Sequence, residues 1–147
     1  MKTILNLLIA VVVFAMPTKV NASTVEFLNS KPANAKLPFS EAVKVDSMLY
    51  LSGQIGINPE TKKLASGGVE AEAHQTLRNI KRVLNSHKLD MSNVVKCLVI
   101  LTDINDFAAF NSVYVQYFKA PYPARSAFAA KELALGAKVE IECMAAF

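Results

Sequence analysis

Few residues in this sequence combine a reactive type with a position that holds the side chain still. Arg125 is one. It lies in Pro121-Tyr122-Pro123-Ala124-Arg125-Ser126, where a proline-stiffened loop enters an apolar segment. A guanidinium at such a junction is suited to bidentate pairing with a carboxylate. On composition alone the plainer role, a structural salt bridge, is the better reading. Glu140 and Glu142 alternate with Val139 and Ile141, so both project from one face of a strand. A carboxylate on a face that a partner covers is partly desolvated, which suits it to general acid or base work near neutral pH. Each is otherwise a solvated surface glutamate, and spacing does not choose between them.

Other chemistries find little support. There is no glycine-rich phosphate loop and no dinucleotide fingerprint. His74 and His87, the two histidines, lie out of line on one helical segment, with no Cys or carboxylate at metal-ligand spacing. Both read as helix-surface residues, and neither a metal site nor a cofactor is expected. No Ser–His–acid order is present either.

These groups need a scaffold. Thr24–Leu28 reads as a short strand, residues 29–38 as a loop, and Glu41–Val45 with Met48–Ser52 as a hairpin about Asp46-Ser47. Ala73, Leu77, Ile80 and Leu84 recur at helical spacing and predict an amphipathic helix over Val69–Lys88, with Glu70, Glu72, Gln75, Arg78, Lys81 and Arg82 on its polar remainder. Val94–Leu101 is apolar except for Lys96, the pattern of a strand buried on both faces. Phe107, Phe110, Tyr114 and Tyr117 define a second helical stripe, ended by Ala120–Pro123, and strands follow near Arg125–Ala130 and Lys138–Phe147. Two helices cover one face of such a sheet, so the other face is expected to be buried by a partner subunit. Cys97 and Cys143 lie on the same apolar side, where two buried thiols acting as small hydrophobes are the expectation and a bond between them the alternative.

Residues 1–22 have the layout of a secretory signal peptide: Lys2, an apolar run from Ile4 to Met16, and small residues before Ser23. An uncleaved signal-anchor helix is the alternative. Cleavage leaves a single domain, 23–147. Of 16 basic and 12 acidic residues, the removed segment takes only Lys2 and Lys19, so the mature net charge is +2. That is too little for a nucleic-acid footprint.

Five ordered stretches carry a resemblance: Ser52-Gly53-Gln54-Ile55-Gly56; Thr76-Leu77-Arg78-Asn79-Ile80; Thr102-Asp103-Ile104-Asn105-Asp106-Phe107 with Asn111; Tyr122-Pro123-Ala124-Arg125-Ser126; and Val139-Glu140-Ile141-Glu142. Together they resemble the Rid family of reactive-intermediate deaminases, over essentially all of the mature domain. The resemblance implies a chorismate-mutase-like α+β fold, a mixed sheet with two helices on one face. It also implies a homotrimer with a central β-barrel and active sites between subunits. The implied activity is cofactor-independent hydrolysis of 2-enamino and 2-imino acids to 2-oxo acids and ammonia. By that resemblance Arg125 holds the substrate carboxylate and Glu140, rather than Glu142, serves the reacting carbon and its water. Ser52, Asn111, Phe39 and Ala127 line the pocket. Phe39 stands where the family often has tyrosine, Ala127 where cysteine is common, and Ala134 where a proline is usual.

A non-catalytic trimer that captures small carboxylates is the alternative. A nuclease, an activity attributed to some relatives, is disfavoured by the near-neutral mature charge. The signal segment points to a periplasmic or extracellular protein, free of the membrane after cleavage, with a cytoplasmic location as the alternative.

Overall fold

The structure, a computed structural model, describes residues 22–29 and 38–147; the signal-segment reading lies outside these. The strands are β1 (Val25–Leu28), β2 (Ala42–Val45), β3 (Met48–Leu51), β4 (Gln54–Ile55), β5 (Val94–Leu101), β6 (Ala124–Ala129) and β7 (Val139–Ala146). The helices are α1 (Gly68–Ser86) and α2 (Phe107–Tyr114). One mixed sheet runs β1-β2-β3-β7-β5-β6, with β4 added on β7. Only β5 and β6 are parallel, because α2 makes the crossover between them; every other pairing is antiparallel.

Alternation along β7 does what its sequence pattern requires. Val139, Ile141, Cys143 and Ala145 are buried, while Glu140, Glu142, Met144 and Ala146 face the other way. The buried set meets Leu49, Leu51, Val99 and Leu101 of the sheet and Ala73, Leu77, Ile80 and Leu84 of α1, all in one core. Both helices cover this face. The opposite face is open in the single chain and presents Tyr50 and Phe128 at 40% and 47% exposure, beside the half-exposed Leu98 and Ile100. The strand read as buried on both sides is therefore covered on one side by its own chain.

Three expectations need correction. Cys97 and Cys143 form a disulfide, because β5 and β7 pair in a register that sets them directly opposite each other, with their Cα atoms 4.1 Å apart. Both are buried. On a chain-entropy account, cross-linking residues 46 apart stabilises the fold by about 4 kcal/mol. Second, Glu72 and Gln75 are buried rather than on a solvated helix face. Glu72 Oε2 accepts a hydrogen bond from the Lys138 backbone N–H at 2.7 Å. Gln75 donates to Asn79, whose amide donates to the carbonyls of Ile55 and Ile57 at 3.1 and 2.9 Å. The polar shoulder of α1 thus ties down β4 and the start of β7, where unpaired buried backbone groups would be costly. Gly56 permits this approach, since a Cβ there would sit 2.8 Å from the Glu72 Cα. Third, His74 is not a free surface residue. Its Nδ1 lies 3.1 Å from the Tyr117 hydroxyl, which packs against α1 from the turn after the shorter α2.

Candidate active site

The sheet register decides which sequence-derived site residues meet. Arg125 on β6 pairs with Cys97 on β5, which faces the core, so Arg125 emerges on the helix side of the sheet. Glu140 pairs with Ile100, and Ile100 with Phe128, so this carboxylate emerges on the open side. Along β7, Glu140 also lies three residues from Cys143, the level of Arg125, roughly 10 Å at strand rise. Within one chain the two groups therefore lie on opposite faces of the sheet.

The surroundings of Arg125 form a cleft on the helix side. This open cleft of about 520 Å³ is lined by Asn111, Tyr114, Val115, Tyr122, Pro123 and Arg125. Arg125 has no ion pair among the described residues, so the structural salt bridge favoured by composition alone is not what holds it. It lies instead over three rings of α2, with its guanidinium carbon 4.6 Å from the centroid of Tyr114, 5.4 Å from Phe107 and 5.8 Å from Phe110. Such contacts orient a cation without neutralising it. Burial pushes the Tyr114 hydroxyl above its ordinary pKa, opposed by the nearby Arg125 charge, so the phenol stays protonated at neutral pH. Asn111, one helical turn before Val115, puts an amide on the same cleft wall.

Glu140 has different surroundings on the open side. Its side chain is half-buried and lies over Gly53 at the β3–β4 junction; a Cβ on Gly53 would meet Oε1 and come within 3.0 Å of Cδ. Glycine is required there for the carboxylate to occupy this position. Ser52 adjoins it, but its hydroxyl donates to the Ser40 carbonyl at 2.6 Å and so ties this junction to the segment before β2. Glu142, two residues on, is exposed.

The remaining two expected pocket residues are not in the cleft. Phe39 is 56% exposed and lies apart from it, while Ala127 packs against the core from β6. Sequence reasoning also passed over Tyr114 and Tyr122 as site residues. Tyr114 was legible only as a core-facing member of a helical stripe, because periodicity places a ring on a face without saying which cation crosses it. Among the described residues no group of three His, Cys, Asp or Glu is placed to hold a metal ion, and no helix is long and apolar enough to cross a membrane.

Comparison with known proteins places this geometry. The family model described as "Endoribonuclease L-PSP" matches residues 29–147. A human protein named 2-iminobutanoate/2-iminopropanoate deaminase is 47% identical over 116 residues, spanning 79% of this chain and 85% of its own. An Arabidopsis thaliana protein named Reactive Intermediate Deaminase A, chloroplastic, is 43% identical over 129 residues, 86% of this chain and 69% of its own. Among solved structures, RidA from an Antarctic Psychrobacter superposes with a TM-score of 0.73 at 42% identity, covering 77% of this chain and 91% of that one. E. coli TdcF, solved with bound serine, gives 0.72 at 35% identity, with the same two coverages. The family model spans most of the chain and the relatives agree with it in both sequence and fold, and on that ground the chain belongs to the Rid (RidA/YjgF-type) family of reactive-intermediate deaminases.

Proposed function

We propose that this protein hydrolyses reactive 2-imino acids, and the 2-enamino acids that tautomerise to them, to 2-oxo acids and ammonia, without a cofactor. The observation that carries the reading is the Arg125 guanidinium at the cleft, which has no ion pair among the described residues and is oriented by rings rather than by a carboxylate. Its natural complement is a small carboxylate bound through two parallel hydrogen bonds. The human and Arabidopsis relatives are named for this chemistry, and the serine in E. coli TdcF is an amino acid with such a carboxylate. Among the described residues Arg125 is the only cation lining the cleft, which suits a small anion better than a polyphosphate backbone.

The chemistry asks mainly for orientation and a proton carrier. With the carboxylate on Arg125, a water attacks C2 of the protonated imine as Glu140 takes one of the water's protons, forming the C–O bond, turning the C=N double bond into a single bond and giving a neutral carbinolamine. Glu140 then returns that proton to nitrogen. The C–N bond breaks, ammonia leaves, and the hydroxyl proton is released as the 2-oxo group forms.

Because the two groups lie on opposite faces, one complete site takes Arg125 from one subunit and Glu140 from another. The apolar open face supports the same conclusion, since it is the surface a second and third copy would cover to close a trimeric barrel. Asn111 and Ser52 line the two walls; Phe39 and the Ala127 backbone enter the pocket once subunits assemble.

The test uses an amino-acid oxidase to generate 2-imino acids in the presence of semicarbazide, following the semicarbazone formed from free imine. The protein is expected to suppress the semicarbazone signal at catalytic concentration. No suppression across several small amino-acid precursors would leave the alternative, a binder of small carboxylates.

We further propose that the protein is exported and cleaved after Ala22. The buried disulfide supports this, because such bonds persist in oxidising compartments. Intact mass of the native protein is expected to match a chain beginning at Ser23, lighter by the hydrogens lost in forming the disulfide. A full-length mass with free thiols in the cytosolic fraction overturns the proposal.

A further inference from the structure

An arginine that must capture an anion faces two opposed demands. It needs a fixed orientation, yet an ion pair that supplied one would cancel its charge and would have to be displaced by each ligand. Arg125 meets both through α2. Phe107, Phe110 and Tyr114 follow at spacings of three and four, so their rings fall on one helix face and all three reach the guanidinium. Tyr114 is the nearest. The residue is 3% exposed and its ring is wedged between Phe110 and Phe118, with centroids 5.7 and 4.4 Å away, so it has little room to swing. The same residue lines the cleft. Its hydroxyl is buried without a hydrogen-bond partner, so no polar contact within the described fold explains where the ring sits.

We propose that Tyr114 is a positioning residue: its ring face, backed by Phe118, sets the Arg125 guanidinium at the cleft and leaves the whole charge for a ligand carboxylate. The inference rests on reading Arg125 as the carboxylate clamp, and it goes beyond that reading by naming what aims the clamp. A second consequence concerns the hydroxyl. A buried unpaired hydroxyl is unfavourable, so Tyr114→Phe keeps the platform and removes the misfit.

The experiment measures binding of 2-oxobutanoate and of its uncharged amide to the purified protein by calorimetry, beside imine turnover. Tyr114→Leu is expected to weaken 2-oxobutanoate binding about tenfold while changing amide binding less than twofold. KM should rise more than kcat falls. Tyr114→Phe is expected to restore wild-type discrimination between the two ligands and to melt at a higher temperature. Equal weakening of both ligands by Tyr114→Leu, or none, overturns the proposal and marks the residue as packing only. If Tyr114→Leu does not fold, Phe107→Leu at the outer edge of the platform decides. A loss of about threefold in the same discrimination supports the proposal, and an unchanged ratio overturns it. Wild-type binding without turnover would overturn the deaminase reading and leave the Tyr114 proposal standing; no wild-type preference for the carboxylate would overturn the clamp itself.

Discussion

Arg125→Ala is expected to lower kcat/KM for 2-imino acids by about two to four orders of magnitude and to abolish measurable 2-oxo acid binding. Two charge-assisted hydrogen bonds to the substrate carboxylate are lost, each worth roughly 1.5–3 kcal/mol, and every factor of ten in rate corresponds to about 1.4 kcal/mol. The fold should survive. Arg125 has no ion-pair partner to strand among the described residues, and it leaves a half-buried position on an edge strand. Only its contact with the three rings is forfeited, about 1 kcal/mol. Arg125→Lys separates charge from shape. It keeps the cation but loses the planar fork and the stacking, so activity between wild type and Arg125→Ala is expected. Steady-state kinetics and calorimetry on the three proteins check this. An Arg125→Ala variant within fivefold of wild type would remove the carboxylate clamp from the mechanism.

Glu140→Gln has the opposite kinetic signature. The amide is nearly isosteric, so it still lies over Gly53 on the open face, but it no longer accepts a proton from water. A kcat lowered by about two to four orders of magnitude is expected, with 2-oxo acid affinity close to wild type, because loss of a general base removes transition-state stabilisation rather than ground-state binding. Glu142→Gln serves as the control. That side chain is exposed and two residues away, and turnover is expected to change by less than about twofold. Single-turnover kinetics with product-binding measurements separate the two effects. Equal losses for Glu140→Gln and Glu142→Gln would mean that the open-face carboxylates act only through their charge. The contrast between a binding defect at Arg125 and a chemical defect at Glu140 is what the proposed clamp and base roles predict.

Much of this architecture was legible in the chain. The four-three-four spacing of Ala73, Leu77, Ile80 and Leu84 and the strict alternation along Val139–Ala146 each specify a periodicity. Periodicity is a local property that fixes which side chains share a face. The motifs about Arg125 and Glu140 likewise singled out the two groups to which the proposed mechanism assigns roles, one by one and through the family resemblance. Relations between elements were not legible in this way. Whether Cys97 bonds Cys143 depends on the register of β5 against β7, and nothing within either strand encodes it. Glu72 reads as a solvated helix residue until the N–H of Lys138, far along the chain, is brought to its carboxylate. The aromatic stripe of α2 announces a helix face, yet only the parallel pairing of β6 on β5 carries Arg125 over it. By itself, then, the sequence determined most of the elements and the apolar stripe of each, and it named Arg125 and Glu140 as the candidate groups. The tertiary structure alone decided that those groups leave opposite sides of one sheet, because strand pairing is a long-range choice that local periodicity cannot express.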